Sequence, residues 1–394
     1  MKKNMLLLIS STFFSLILLY IFLFFYTFVN YETSMPYKFD STKTLNFHKK
    51  YSKKVHHLRF FTEETIKYFK RNKNFKNTEY LYSVVNEFNS NGENIIFQGD
   101  SWAEFLTNPD NGDFGSMNYV KKFSTDNNIG FINAGVVSFS PTLMQVQLDV
   151  LEKDFNIKPS IVIAYIDQTD LGDENCRYKN KRIFQNDNVI AVNPEKYSGN
   201  VFDFTKIYAQ SEIFLSNNNK LIKTYNLLNF RIKYKYKKNL GKNINKFKRI
   251  IKFGYKNRKA EKCYWPEIQN YLTSGSKEEI NYFKTSVKNY IKYIEQKDYI
   301  KKIFIITFPH KNHLPSLYES KELYKHNVSD LVDEIAKNNN KIFHLNFSKR
   351  ALSGNIVLKK EDYLKNDPSS HLTPLHYKNF FIKEVISYVS KNIF

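Results

Sequence analysis

The sequence predicts an α/β fold: a three-layer sandwich around a mostly parallel five-stranded sheet, preceded by one N-terminal transmembrane helix. Two observations carry this. Short runs of apolar, β-branched residues alternate with longer segments of helical period, the signature of βαβ units. Ahead of them, residues 5–29 form a 25-residue stretch without a single charge. A chain of 394 residues, 42% of them hydrophobic, is long enough to bury a sizeable core under such a sheet.

The stretch MLLLISSTFFSLILLYIFLFFYTFV (5–29) is apolar on every face, which argues against a core helix, and about 20 such residues span a bilayer. No small-residue cleavage site follows, since the chain continues NYETSMPY, so an uncleaved anchor is the better reading than a signal peptide. Lys2 and Lys3 precede the stretch. The positive-inside bias then keeps the N-terminus cytoplasmic and places the remainder in the periplasm or outside the cell.

Residues 30–93 read as a polar stalk with opening helices around 63–69 and 80–88. The α/β domain is expected over 94–394. Its strands are NIIFQ (94–98), GFINAGVV (130–137), SIVIAYI (160–166), KIFIITF (302–308) and KIFHLNF (341–347). Helical period fills 141–155, 277–296, 320–337 and the closing segment, where Phe380, Phe381, Val385, Ile386 and Val389 recur at helical spacing. About 100 residues at 173–276 separate the third and fourth strands, too many for an ordinary connection, and predict an insertion.

The first strand runs directly into Gly99-Asp100-Ser101-Trp102. A serine at the carboxyl end of a parallel strand, just before a helix, lies in the crevice where open α/β sheets place ligands. It also gains the positive end of that helix for a developing oxyanion. Gly-Asp-Ser alone is an ordinary turn, so the motif needs a base within reach and a third group to orient it. Both stand in one loop between the fifth strand and the last helix, Asn366-Asp367-Pro368-Ser369-Ser370-His371. His371 is the candidate base and Asp367 its orienting carboxylate. His376, inside the final helical pattern, is a weaker rival.

These blocks resemble the SGNH (GDSL-like) hydrolase family over roughly 94–170 and 300–394. GDSW supplies the first block and Gly135, in NAGVVSFSP, fits the second. The resemblance implies a serine esterase or O-acyltransferase without a cofactor, in which the backbone N–H groups of Ser101 and Gly135 donate to the oxyanion. The third block departs from the family pattern Gly-x-Asn-Asp, because here the strand ends Tyr165-Ile166-Asp167-Gln168-Thr169-Asp170. Gln168, Thr169 and Asp170 are therefore the oxyanion-side or substrate-side candidates. A carboxylate at Asp167 or Asp170 repels an oxyanion unless it is turned away or protonated. In the last block three residues, not two, separate Asp367 from His371. The altered third block also motivates a second expectation, a glycan-binding or assembly protein that keeps the fold but lacks full activity.

The formal net charge is +22, and 15 of it lies in 220–262, where 16 Lys or Arg face one acid, Glu261. Such a run attracts polyanions or an anionic membrane surface, unless it is only a solvated basic face. Export argues against nucleic acid, leaving acidic glycans or lipid head groups as partners. The resemblance implies acyl esters, above all acetyl esters, of a cell-surface or exported polysaccharide as substrate. His310 and His313 have metal-compatible spacing but no third ligand, so no metal is expected and FPHKNHL reads as a solvated or substrate-facing loop. Cys176 and Cys263 are too few for a disulfide framework; in an exported domain they can pair, and two free thiols fit equally well.

Overall fold

The computed structural model describes residues 2–34, 42–51, 78–79, 82–89, 92–107, 115–185, 188–192, 204–215, 222–223, 225–230, 233, 276–323, 328–367 and 369–394. The chain divides into two units, one of Met1–Lys50, Phe60–Lys67 and Asn200–Ala260, the other of Tyr51–Arg59, Tyr68–Gly199 and Glu261–Phe394.

The described parts of the first unit are helical, chiefly Lys2–Ser34, Thr42–Tyr51 and Phe204–Leu215. Lys49 pairs with Glu212 between the second and third of these. The first helix has 33 residues and leaves its apolar side chains outside, with Leu7 64% and Phe13 67% exposed. Among the described residues no helix is long and apolar enough to cross a membrane. Side chains of the first helix are described only as far as Phe22, so the expected span at 5–29 lies partly outside the described residues. The helix expected at 63–69 and most of the basic stretch 220–262 lie outside them too.

Among its described residues the second unit has nine strands: β1 (Thr78–Glu79), β2 (Tyr82–Asn86), β3 (Asn94–Gly99), β4 (Gly130–Gly135), β5 (Ile161–Tyr165), β6 (Arg182–Gln185), β7 (Asn188–Val192), β8 (Lys302–Thr307) and β9 (Ile342–Asn346). Seven of them form one sheet in the order β1-β2-β4-β3-β5-β8-β9. The five expected strands are β3, β4, β5, β8 and β9, and all pair in parallel. Numbered among themselves they run 2-1-3-4-5, a doubly wound order whose direction of winding reverses between β3 and β5. At that switch point ligands bind beyond the carboxyl ends of the strands.

The sheet has seven strands rather than five because β1 and β2 extend its β4 edge antiparallel. The segment around 80–88, expected as a helix, is strand β2. Its burial alternates, with Ser83 and Val85 inside, which is the period of two of a half-buried strand, and the adjacent branched residues Val84 and Val85 suit a pleat.

Helices Pro141–Phe155 and Lys277–Glu295 pack together, and right-handed crossovers place both on one face. Gly115–Asp126 packs against Tyr377–Ile382 on the other, giving three layers. Each helix has a local cause. Pro141 opens the first and Asn156, with φ 53°, closes it. Ser276 and Glu279 form a capping box at Lys277. The segment after β5 begins as Thr169–Gly172, continues as a π-helical turn Asp173–Tyr178, and leads into the hairpin β6–β7 against Pro141–Phe155. Cys176, in that turn, is disulfide-bonded, and the chain holds one other cysteine, Cys263.

Candidate active site

Ser101 is the first residue of the short helix Ser101–Glu104, which starts where β3 ends. Asp100 caps it, its carboxylate accepting from Trp102 N–H at 2.9 Å. The turn is tight because both flanking glycines admit backbone that a side chain excludes. A Cβ on Gly135 would lie 2.3 Å from Glu104 N and 2.4 Å from the Ala103 carbonyl carbon, so the end of β4 and the serine-bearing helix touch. Gly99 sits at φ 153°, where a Cβ would meet Tyr165 at 2.9 Å.

From the other end of the chain, the loop after β9 brings its histidine to this serine. His371 Nε2 is 2.6 Å from Ser101 Oγ, and His371 Nδ1 is 2.7 Å from Asp367 Oδ2. With Nδ1–H donating to the carboxylate, Nε2 is left to accept from the serine. Three residues between Asp367 and His371 suffice because the loop folds back on itself. The N–H groups of Ser369 and His371 both donate to the Asp367 carboxylate, at 3.1 and 2.6 Å, and Ser370 takes a left-handed φ of 57°. Burial works to raise the Asp367 pKa, but the hydrogen bond and charge of His371 and these two N–H groups outweigh it and hold the carboxyl below its ordinary value.

Aromatic packing fixes the imidazole. Phe105 stacks on it at 4.7 Å with 10° between the rings. Trp102, buried beneath, stacks on Tyr165 at 5.1 Å, while Tyr377 donates to Trp102 O at 2.7 Å. His376 is paired with Asp362 at 3.4 Å rather than drawn into the relay. His310 and His313 are 5% and 1% exposed, so these two histidines of FPHKNHL turn away from solvent while Asn312 between them is exposed. The segment braces the catalytic loop from behind: Lys311 donates through its backbone to Ser370 Oγ at 3.3 Å and through its ammonium to Asp367 O.

The third block folds inward. Thr169 donates its N–H and hydroxyl to Asp167 Oδ1, both at 2.7 Å, and lies 3.1 Å from Asp100 Oδ2. Asp170 accepts from Asp167 N–H at 3.3 Å and is 1% exposed. Asp100, Asp167 and Asp170 thus bring carboxylate oxygens within 4.8 Å of one another, all buried. Burial first, then mutual repulsion, pushes Asp100 and Asp170 well above the carboxylate range; Asp167 is raised by burial against the two Thr169 hydrogen bonds. Gln168 is 2% exposed and its Oε1 is buried without a hydrogen-bond partner.

Gly135, expected on the oxyanion side, has its N–H engaged within its own loop. Its N–H donates to Asn133 Oδ1 at 3.0 Å. The next N–H groups are engaged as well: Val136 with Gly99 O at 3.1 Å, Val137 with Glu104 Oε2 at 2.6 Å and Phe139 with Val136 O at 2.9 Å. The N–H groups of Ser138 and Ser140 have no hydrogen bond among the described residues, and of the two only Ser138 stands at a left-handed φ, 60°. The glycine that matched the second block thus meets a packing requirement, and its N–H is engaged by Asn133.

No family model matches the chain, and no curated protein does. Among solved structures it is similar to a catalytic mutant of an acetylxylan esterase from Geobacillus stearothermophilus, at 13% identity over 77% of this chain and 94% of that one, with a TM-score of 0.34. So low a likeness carries no argument, and the chemistry rests on the distances above.

Proposed function

We propose that this chain is a serine esterase or O-acyltransferase of the SGNH type, acting on acetyl esters of a cell-surface or exported polysaccharide. The supporting observation is the relay Ser101–His371–Asp367, with hydrogen-bond distances of 2.6 and 2.7 Å, set at the start of a helix on the switch point of a doubly wound sheet. His371 Nε2 takes the proton from Ser101 Oγ as that oxygen attacks the ester carbonyl. Imidazolium is stabilised by Asp367. The tetrahedral intermediate collapses when His371 returns the proton to the leaving alcohol, and water or a sugar hydroxyl then resolves the acyl-enzyme by the same steps.

The oxyanion is held by the N–H of Ser101, which has no intrahelical acceptor at its helix position, and by the N–H of Ser138. The side-chain amide of Gln168 is the third donor. Export is supported by the uncharged stretch 5–29 behind Lys2 and Lys3 and by the disulfide at Cys176, a bond rare in reducing compartments. The basic stretch 220–262 would hold an acidic glycan or lipid surface, outside the catalytic step. Replacing Ser101 by Ala should abolish turnover of a small acetyl ester with the melting temperature preserved, and retained turnover would refute the assignment.

A further inference from the structure

The segment after β5 grips the loop after β4 at several points, all near Ser138. Glu174, fully buried, accepts from Ser140 Oγ at 2.7 Å, from Thr142 N–H at 2.8 Å and from Thr142 Oγ1 at 2.8 Å. Tyr178 donates its hydroxyl to Ser138 O at 2.5 Å. Arg177 donates to Ser138 Oγ and forms an ion pair with Asp173 at 2.7 Å. The π-helical turn Asp173–Tyr178 brings these three side chains to the same loop, and such turns recur at functional sites. On its other side the loop is tied to the serine-bearing helix by Val137 N–H and Glu104. A non-glycine residue at φ 60° persists only where its surroundings hold it, and here the carbonyl and the hydroxyl of Ser138 are both held.

We propose that Glu174, Arg177 and Tyr178 are positioning residues that fix the 138–142 loop so that the unpaired Ser138 N–H meets the oxyanion formed at Ser101. The inference rests on the esterase reading. Its particular content is that these residues act on the transition state through Ser138. An oxyanion donor acts only on the charge that develops during reaction, so its misplacement lowers kcat and leaves KM nearly unchanged.

The test uses the full chain with p-nitrophenyl acetate as substrate and an arylboronic acid, which forms a tetrahedral adduct on the serine, as inhibitor. Tyr178→Phe removes one hydroxyl, and Glu174→Gln keeps the shape while weakening three hydrogen bonds. Each should lower kcat about tenfold to a hundredfold, short of the full loss of a donor. Boronate affinity should fall in parallel, with KM within about twofold and the melting temperature lowered by the stranded partners but well above the assay temperature. Unchanged kcat in both variants overturns the clamp, as does a loss of kcat accompanied by an equal rise in KM or a collapse in melting temperature. Failure of the underlying reading is distinguishable: a parent no more active than Ser101→Ala refutes the esterase and the clamp together.

Discussion

Among the described residues two hydroxyl–imidazole–carboxylate arrays stand, and they differ in their access to solvent. In the first, Ser101, His371 and Asp367 are joined at 2.6 and 2.7 Å. In the second, Thr307 Oγ1, His344 and Asp333 are joined at 2.8 and 2.6 Å, and Thr307 reaches on to Ser329 Oγ at 3.0 Å. Distances do not separate them. Access does: Ser101 is half-buried, while Thr307 and Ser329 are 2% and 0% exposed. Burial sets the second histidine's charge as well, pushing its pKa below the ordinary value against the raising effect of Asp333. Geometry alone therefore makes a hydrogen-bonded core; a nucleophile also needs an open side and donors for the charge it creates.

The sharpest way to break this contrast is to remove each histidine. His371→Gln should lower kcat on an acetyl ester by about 10⁴-fold or more, while His344→Gln should leave kcat within about twofold and lower the melting temperature. Next come the carboxylates. Asp367→Asn should cost about 10²- to 10⁴-fold in kcat, because the amide favours the wrong imidazole tautomer, and Asp333→Asn should cost stability without a change in kcat. Smaller again is Thr307→Val, expected to destabilise the fold by about 1 to 3 kcal/mol by stranding buried partners, as read from denaturant unfolding.

The smallest effect concerns pH. His344 is depressed in the fold, so the unfolded chain binds more protons below about pH 6.5, its ordinary value, and this contribution to stability is present above that pH and lost as pH falls towards the folded value. Asp173 works in the opposite direction. Burial outweighs its pairing with Arg177 and pushes it up to about 7, so its contribution is lost as pH rises from about 4 to 7. The difference in unfolding free energy between the parent and His344→Gln isolates the histidine: it should shrink between pH 7 and pH 5, and a constant difference would show that burial does not disfavour the imidazolium.

What was legible in the sequence follows the same division. The five central strands are continuous apolar runs because both faces are covered, and continuous runs stand out. Strand β2 lies next to the edge strand β1 with one face buried, so YSVVN carried too little signal to be told from a helix turn. Ser101, His371 and Asp367 sit where chain topology puts them, beyond strand ends, and so were visible without coordinates. The clamp was not, because Glu174 meets Ser140 and Thr142 across more than 30 residues, and no spacing rule encodes that. Gly135 stood out in the sequence, but its packing did not. A glycine signals either a donor brought close or a backbone that must pass close, and Glu104 N at 2.3 Å from its notional Cβ shows the second at work here. The positive φ of Ser138 left no mark, since serine is not the residue type that position ordinarily favours.

The central claim, that Ser101 is a nucleophile activated by His371, is tested most directly by treating the full-length chain with a fluorophosphonate and locating the adduct by peptide mass spectrometry. The structure predicts one phosphonylated residue, Ser101, with labelling abolished in His371→Gln and intact in His344→Gln. An unlabelled parent, or an adduct on any other residue, would contradict it.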